Sequence, residues 1–203
     1  MSTDMKRIAI FGGIGSGKSV VSQILRVMGF PVYDCDSEAK RLMDNSSKIK
    51  NKIVDAFGEE SLINGQLNRP YLSTVVFGHP EKLKQLNNIV HPEVHLDFEH
   101  WVAECKTSAV FVETAILFES GMDAFVDEIW MVDAPEDVRV ARVVKRNGLP
   151  VEQVKARIRS QKIISETSLP LFKIDNNGKV ALLPQVDRLI AKDNLTIERM
   201  VKK

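Results

Sequence analysis

The octapeptide GGIGSGKS, residues 12–19, lies between a short apolar run, IAIF at 8–11, and a stretch with apolar residues at 20, 21, 24, 25 and 28. Those five apolar positions fall on one face of a helix. A flexible linker would not be followed by Lys-Ser and a helical pattern. The octapeptide is therefore predicted to join a strand to a helix.

The pattern G-x-x-x-x-G-K-S predicts a site for a nucleoside triphosphate, with a chance glycine turn as the alternative. Glycines allow backbone N–H groups to surround an anion at a helix N-terminus, where the helix dipole also favours negative charge. Lys18 adds a cation, and the Ser19 hydroxyl is an oxygen ligand of the kind that Mg²⁺ prefers. The residues expected to contact the nucleotide are Gly13, Ile14, Gly15, Ser16, Gly17, Lys18, Ser19 and Val20.

Length and charge limit the classes of function. At 203 residues the chain fits one domain with inserted segments. Lys and Arg number 28 against 27 Asp and Glu, so the overall charge gives no reason to expect a nucleic acid or an anionic membrane as partner. The two cysteines match no disulfide framework or metal spacing, and no signal peptide or membrane span is indicated. A cytoplasmic protein is expected, and its oligomeric state stays open.

Alternating patterns predict the fold class as α/β, a doubly wound parallel five-stranded sheet. The strand-like runs are 7–11, 30–34, 109–113, 128–132 and 171–174, separated by helical patterns. A mostly helical insertion follows the second strand, with helices expected at 37–44, 48–57, 71–77, 81–90 and 92–106 and a turn at Asn64-Gly65. Two more helices, separated by a break at Asn147-Gly148, are followed by a last stretch from Pro184 to Lys203 that is predicted to be a closing helix with a polar tail.

Three carboxylates end predicted strands, where ligands collect in doubly wound sheets. Asp36 could take the proton of an acceptor hydroxyl during phosphoryl transfer, or it could cap the helix expected from Ser37. Asp34 could take that proton in its place, or it could be a solvated strand end. Glu113 could hold Mg²⁺ through water or be a charge that merely ends a strand.

A basic run, 139–162, carries eight Lys or Arg against one acid. Arg139, Arg142 and Arg146 follow spacings of three and four and so share a helix face. Such a segment suits a lid that closes over phosphates, although a solvated face or an RNA-binding patch are alternatives. Few aromatic residues interleave the run, which disfavours RNA.

The histidines at 91, 95 and 100 could suggest a metal site. His91 precedes Pro92, however, and a residue before proline avoids helical geometry. A break between two helices is therefore predicted there, which makes a pairing of His91 with His95 on one helix face doubtful.

Taken in order, these segments resemble the dephospho-CoA kinase family over nearly the whole chain. The resemblance rests on GGIGSGKS and then on VYDCDSEAKRL (32–42), LNRPYLSTVVF (67–77), LNNIVHPEV (86–94), LFES (117–120), RVARVVKRNGLPVEQVKARIRSQ (139–161) and IDNNG (174–178). It departs from the family pattern at Cys35, at Val20 and in the segment ETAIL (113–117).

The resemblance implies ATP- and Mg²⁺-dependent phosphorylation of the 3′-hydroxyl of the ribose of dephospho-CoA. It implies a single P-loop kinase domain, 1–203, with a nucleotide-binding core (1–36, 109–134 and 169–203), a helical CoA-binding insertion (37–108) and a helical lid (135–168). The implied residue roles are catalysis by Asp36 with Arg142 and Arg146 of the lid, adenine contact by Asn177, and substrate contact by Arg69 and His91. The loop and strand-end arguments add Lys18 as a catalytic residue, Asp34 at the substrate, and Ser19 and Glu113 at the metal.

Two other functions compete with this interpretation. A nucleoside monophosphate kinase would share the loop, the lid arginines and the size, but the long insertion with His91-Pro92 favours dephospho-CoA. A GTPase switch would need an Asn-Lys-x-Asp motif on a late strand, and the segment 174–178 lacks the lysine.

Overall fold

The computed structural model describes residues 5–161 and 167–196. The chain divides into two compact units, the first formed by Met1–Tyr33 with Cys105–Lys203 and the second by Asp34–Glu104. Within the described residues, no helix is both long and apolar enough to cross a membrane.

The first unit is built on a five-stranded parallel sheet, as the alternating pattern predicts. Its strands are β1 (Lys6–Phe11), β2 (Val32–Asp34), β5 (Ala109–Thr114), β6 (Glu128–Asp133) and β7 (Leu171–Asp175), in the spatial order β2-β5-β1-β6-β7. The second strand begins at Val32 rather than at residue 30. Phe30 still donates its N–H to Leu25 at the end of the preceding helix, at 2.9 Å.

Apolar side chains explain why β1 lies at the centre of this sheet. Ile8 and Ile10 are fully buried, and so are Phe111 of β5 and Trp130 of β6 on the two neighbouring strands. β1 pairs in parallel register with both of these strands. Strands buried on both faces are expected to be nearly continuous apolar runs, as these are. The sheet therefore fixes the carboxyl end of β1, where the glycine-rich loop begins.

Four helices belong to the described part of the first unit. They are α1 (Lys18–Val27), α6 (Glu136–Asn147), α7 (Val151–Ser160) and α8 (Leu182–Lys192), and a 3-10 turn covers Met122–Phe125. The break between α6 and α7 falls at Gly148, whose φ of 64° ends α6 in the left-handed conformation. The closing helix starts before Pro184 and ends at Lys192, and the rest of the predicted segment from residue 197 lies outside the described residues.

The second unit is helical, with one short hairpin. Its elements are α2 (Cys35–Asn45), α3 (Ser47–Phe57), a 3-10 turn (Glu59–Ser61), β3 (Leu62–Ile63), β4 (Gln66–Leu67), α4 (Arg69–Val76) and α5 (Pro80–Glu104). Ile49, Ile53 and Phe57 of α3 and Leu72 of α4 form its buried core. Asn64 and Gly65 both adopt positive φ between the paired strands, which is the geometry of a type I′ hairpin turn.

The predicted break at His91-Pro92 is wrong, because α5 runs without interruption from Pro80 to Glu104. Pro92 removes one backbone donor from the helix. Four buried residues, Val90, Val94, Phe98 and Val102, recur at intervals of four on either side of it. This continuous apolar stripe stabilises the helix more than the proline destabilises it.

Candidate active site

The glycine-rich loop connects β1 to α1 and forms the first part of the candidate site. Gly17 is the N-cap residue of α1 with φ of 98°, and no side chain caps this helix. A Cβ atom at position 17 would lie 2.1 Å from Nδ2 of Asn176, so only glycine fits there. The open N-terminus of α1 suits an anion, because the first N–H groups of a helix have no partner within it.

Lys18 and Ser19 are the first two residues of α1. Lys18 Nζ donates 2.8 Å to the carbonyl oxygen of Gly12, so its side chain folds back over the loop. Val20 follows with half of its surface exposed. Lys18 and Ser19 thus lie at the N-terminal end of α1, directly after the loop.

Asn176 ties the end of β7 to this loop, and sequence reasoning missed it. Its Nδ2 donates 2.7 Å to the Ser16 carbonyl, and its backbone N–H donates 2.8 Å to the Asp133 carbonyl at the end of β6. Its side chain is buried. Asn176 is therefore a support of the phosphate loop.

Asn177, the residue expected at the adenine, also shapes the turn after β7. Its Nδ2 donates to Asp175, and its Oδ1 accepts the backbone N–H groups of Lys179 and Val180 at 2.7 and 3.2 Å. The only sequence signal that separates the two asparagines is position, since Asn176 directly follows the strand. The adenine contact of Asn177 stays a prediction.

The two lid arginines of the implied site differ in their surroundings. Arg142 reaches the loop, where Nη1 lies 3.4 Å from the carbonyl oxygens of both Gly15 and Ser16. Its Nη2 donates to the backbone and side-chain oxygens of Asn176, at 3.0 and 3.2 Å. Arg146 is exposed and donates to the adjacent Asn147. The last basic residue of the run, Lys162, lies outside the described residues.

The tip of the loop is held by two further lid residues. Ile14 donates its N–H to Oε1 of Gln161 at 2.7 Å and accepts a hydrogen bond from Nε of Arg139 at 2.9 Å. The Ile14 side chain packs against a buried lid cluster of Val140, Val143, Val154 and Ile158. Both backbone groups and the side chain of Ile14 are thus bound by the lid.

Glu113 occupies the expected strand. It lies one residue before the end of β5 and is half-buried, in register with Ile10 of β1. In the described part of the chain, no group of three or more His, Cys, Asp or Glu could hold a metal ion.

Asp34 and Asp36 lie at the start of the second unit, where Asp34, and not Asp36, caps the first helix. Asp34 ends β2 and caps α2, accepting the N–H groups of Asp36 and Ser37 at 3.1 and 3.2 Å. α2 begins at Cys35, so the interpretation of Asp36 as the cap is wrong. Its carboxylate is exposed on the first turn of α2, and its role as base stays a prediction.

Arg69 and His91 also belong to the second unit. Arg69 begins α4 and forms an exposed ion pair with Asp44 at 2.8 Å. Burial, with a smaller contribution from nearby His95, lowers the pKa of His91. His91 is therefore neutral at pH 7 and can offer one ring N–H donor and one acceptor.

Comparison with known proteins identifies the family. The family model described as dephospho-CoA kinase matches residues 6–182. The dephospho-CoA kinase of Porphyromonas gingivalis is 42% identical over 190 residues, which are 92% of this chain and 93% of that protein.

Two solved structures share the fold over most of their length. The protein TT1252 from Thermus thermophilus is 34% identical, with a TM-score of 0.78 over 94% of this chain and 96% of that one. Dephospho-CoA kinase from Campylobacter jejuni is 26% identical, with a TM-score of 0.65 over 93% and 96%. The resemblance read from the sequence is confirmed. This chain belongs to the dephospho-CoA kinase family, whose members are kinases of the last step of coenzyme A synthesis.

Proposed function

We propose that this chain transfers the γ-phosphoryl group of ATP to the 3′-hydroxyl of the ribose of dephospho-CoA, giving ADP and coenzyme A. The acceptor oxygen forms a bond to the γ-phosphorus while the bond from that phosphorus to the β,γ-bridging oxygen breaks. Asp36 takes the proton of the acceptor hydroxyl. The observation that carries the proposal is the Gly12–Ser19 loop, with Lys18 folded over it and Arg142 against it.

The residues of the loop act mainly by position and charge. Backbone N–H groups at the start of α1 hold the phosphates, and Lys18 and Arg142 stabilise the charge that builds up on the transferring group. Asn176 keeps the loop in shape by accepting from Arg142 and donating to Ser16. Removal of water from the site would strengthen each of these interactions.

The oxygen donors of the loop and of β5 fit a magnesium ion. Mg²⁺ usually keeps several waters and binds one or two protein oxygens besides substrate phosphates. The Ser19 hydroxyl and, through water, the Glu113 carboxylate are the residues that would hold it. Bound Mg²⁺ would neutralise part of the phosphate charge.

Residues of the second unit are assigned to the acceptor. Asp34 supports Asp36 by capping α2, Arg69 offers a cation to the phosphates of dephospho-CoA, and neutral His91 offers hydrogen bonds. Arg69 would exchange its ion pair with Asp44 for the substrate, which costs little because exposed ion pairs are weak.

A panel of acceptors tests the function. The chain is incubated with ATP, Mg²⁺ and either dephospho-CoA, coenzyme A or nucleoside monophosphates, and products are weighed by mass spectrometry. Dephospho-CoA alone should gain one phosphoryl group, since coenzyme A already carries a 3′-phosphate. Phosphorylation of a nucleoside monophosphate in preference to dephospho-CoA would contradict the proposal.

Arg142→Ala is expected to lower kcat by about 10- to 100-fold, the range for losing hydrogen bonds to a charged group. Arg142 contacts the loop and Asn176, so its loss affects the phosphoryl donor. Arg146→Ala should lower kcat less, because Arg146 is exposed and bonded only to its neighbour among the described residues. Steady-state kinetics should give an unchanged KM for dephospho-CoA in both variants. Losses confined to that KM would place the arginines at the acceptor instead.

A further inference from the structure

Arg139 of α6 is a buried cation, with only 6% of its surface exposed. Its Nε is bound to Ile14, but its Nη2 is buried without a hydrogen-bond partner in residues 5–161 and 167–196. Burial lowers the pKa of Arg139, while the more distant carboxylates of Asp133 and Glu136 act in the opposite direction. Asp133 already pairs with Lys173 at 2.7 Å. The guanidinium stays protonated, since arginine does not lose its proton in proteins.

The unpartnered nitrogen lies at the tip of the phosphate loop. A Cβ atom at position 13 would be 2.2 Å from Nη2 of Arg139, so the guanidinium packs directly on Gly13. Ser16 of the same loop has a buried Oγ that also lacks a partner within the described residues. One polar group of this loop and one of the lid arginine packed on it are therefore desolvated without a hydrogen bond, which is unfavourable unless a ligand supplies one.

A buried charge is normally paired or bound to a ligand. The described chain places no carboxylate in ion-pair contact with Arg139, whereas the adjacent loop is an anion site. We propose that Arg139 is a further nucleotide-binding residue, whose buried charge is compensated by the phosphates of a bound nucleoside triphosphate. The inference rests on the proposed function for the presence of that nucleotide, and it adds a third lid arginine to Arg142 and Arg146.

If Arg139 binds the nucleotide, its replacement should affect the affinity for ATP and the thermal stability of the nucleotide-free protein differently. Replacing Arg139 by methionine removes a partner of the phosphates, so the affinity for ATP should fall. The same change removes an uncompensated buried charge, which favours stability, and the hydrogen bond from Nε to the Ile14 carbonyl, which opposes it, so the melting temperature of the nucleotide-free protein should change little. A residue that merely supports the loop would lower both.

The experiment measures ATP binding by calorimetry with Mg²⁺ and no acceptor, and thermal unfolding without nucleotide. Arg139→Met should weaken ATP binding by about 10- to 100-fold, the range for a charge-assisted hydrogen bond. Arg139→Lys should retain part of the affinity, because it keeps the charge but loses the planar fork. Arg188→Met, the same change at an exposed position of α8, is the matched control and should leave both measurements unchanged.

The outcomes separate this inference from the proposed function. Failure of the wild-type chain to bind ATP would contradict the proposed function itself. ATP binding that is equal in wild type and Arg139→Met would overturn only the role of Arg139. A lower melting temperature and weaker binding in Arg139→Met, with no recovery of affinity in Arg139→Lys, would also overturn it, because the charge would then have no role and Arg139 would only support the loop through Ile14.

Discussion

Lys18→Ala is expected to reduce kcat by about 10³-fold, the upper range for deleting one preorganised group that stabilises transition-state charge. Lys18 is the first residue of α1, and its ammonium group lies over the loop, 2.8 Å from the Gly12 carbonyl. The measurement is kcat with saturating ATP and dephospho-CoA.

Two variants control the Lys18 experiment. Lys18→Arg keeps the charge but not the compact ammonium, so it should recover only part of the activity. Lys106→Ala removes an exposed lysine of the same unit and should match wild type. Thermal unfolding should show that Lys18→Ala is folded. Wild-type turnover in a folded Lys18→Ala protein would refute the phosphate-loop assignment.

The strands and the loop could be predicted because their determinants are local. Strand β1, the octapeptide at 12–19 and helix α1 are adjacent in the chain, and each has its own pattern of apolar residues or glycines. The break between α6 and α7 was equally predictable, since Gly148 ends the first helix by its own conformation. In these segments, tertiary contacts agree with local preference.

Helix α5 shows a local rule overridden by packing. The rule that a residue before proline avoids helical geometry predicts a break at His91. The stripe of Val90, Val94, Phe98 and Val102 continues across Pro92 with a constant spacing of four. Weighing that spacing against the proline would have predicted one helix, and would have placed His91 and His95 on the same face.

Contacts between residues far apart in the chain could not be predicted. Asn176 and Ser16 are separated by 160 residues, and Gln161 and Ile14 by 147. Only its position directly after β7 distinguishes Asn176 from Asn177, and that position does not reveal a contact with Ser16. Arg139 and Arg142 likewise bind carbonyl oxygens of the loop 125 and 127 residues away in the chain. The Ile14 side chain packs against the lid beside these contacts. Sequence placed these arginines on one helix face but could not say what that face contacts.

The roles of the two aspartates depend on which of them caps α2. The cap is Asp34, which accepts two backbone N–H groups, so Asp36 is available for chemistry. Asparagine caps a helix about as well as aspartate, and alanine in place of a capping aspartate costs about 1 kcal/mol. Changes at the two positions can therefore separate capping from catalysis.

Asp36→Asn is expected to lower kcat by about 10² to 10⁴, the usual loss on removing a general base. The amide keeps the shape of the carboxylate but cannot take a proton from the acceptor hydroxyl. Because the Asp36 side chain is exposed and is not the cap, the free energy of unfolding should change by less than about 0.5 kcal/mol. The affinity for ATP, measured by calorimetry, should be retained.

Asp34 supplies the matched control for Asp36. Asp34→Asn should lose less activity than Asp36→Asn with the cap preserved, whereas Asp34→Ala should lower the melting temperature through the lost hydrogen bonds to Asp36 and Ser37. The three variants are compared by kcat and by thermal unfolding under the same conditions. If Asp34→Asn is the more damaging to kcat while both asparagine variants remain as stable as wild type, Asp34 is the base, and Asp36 only completes the first turn of α2.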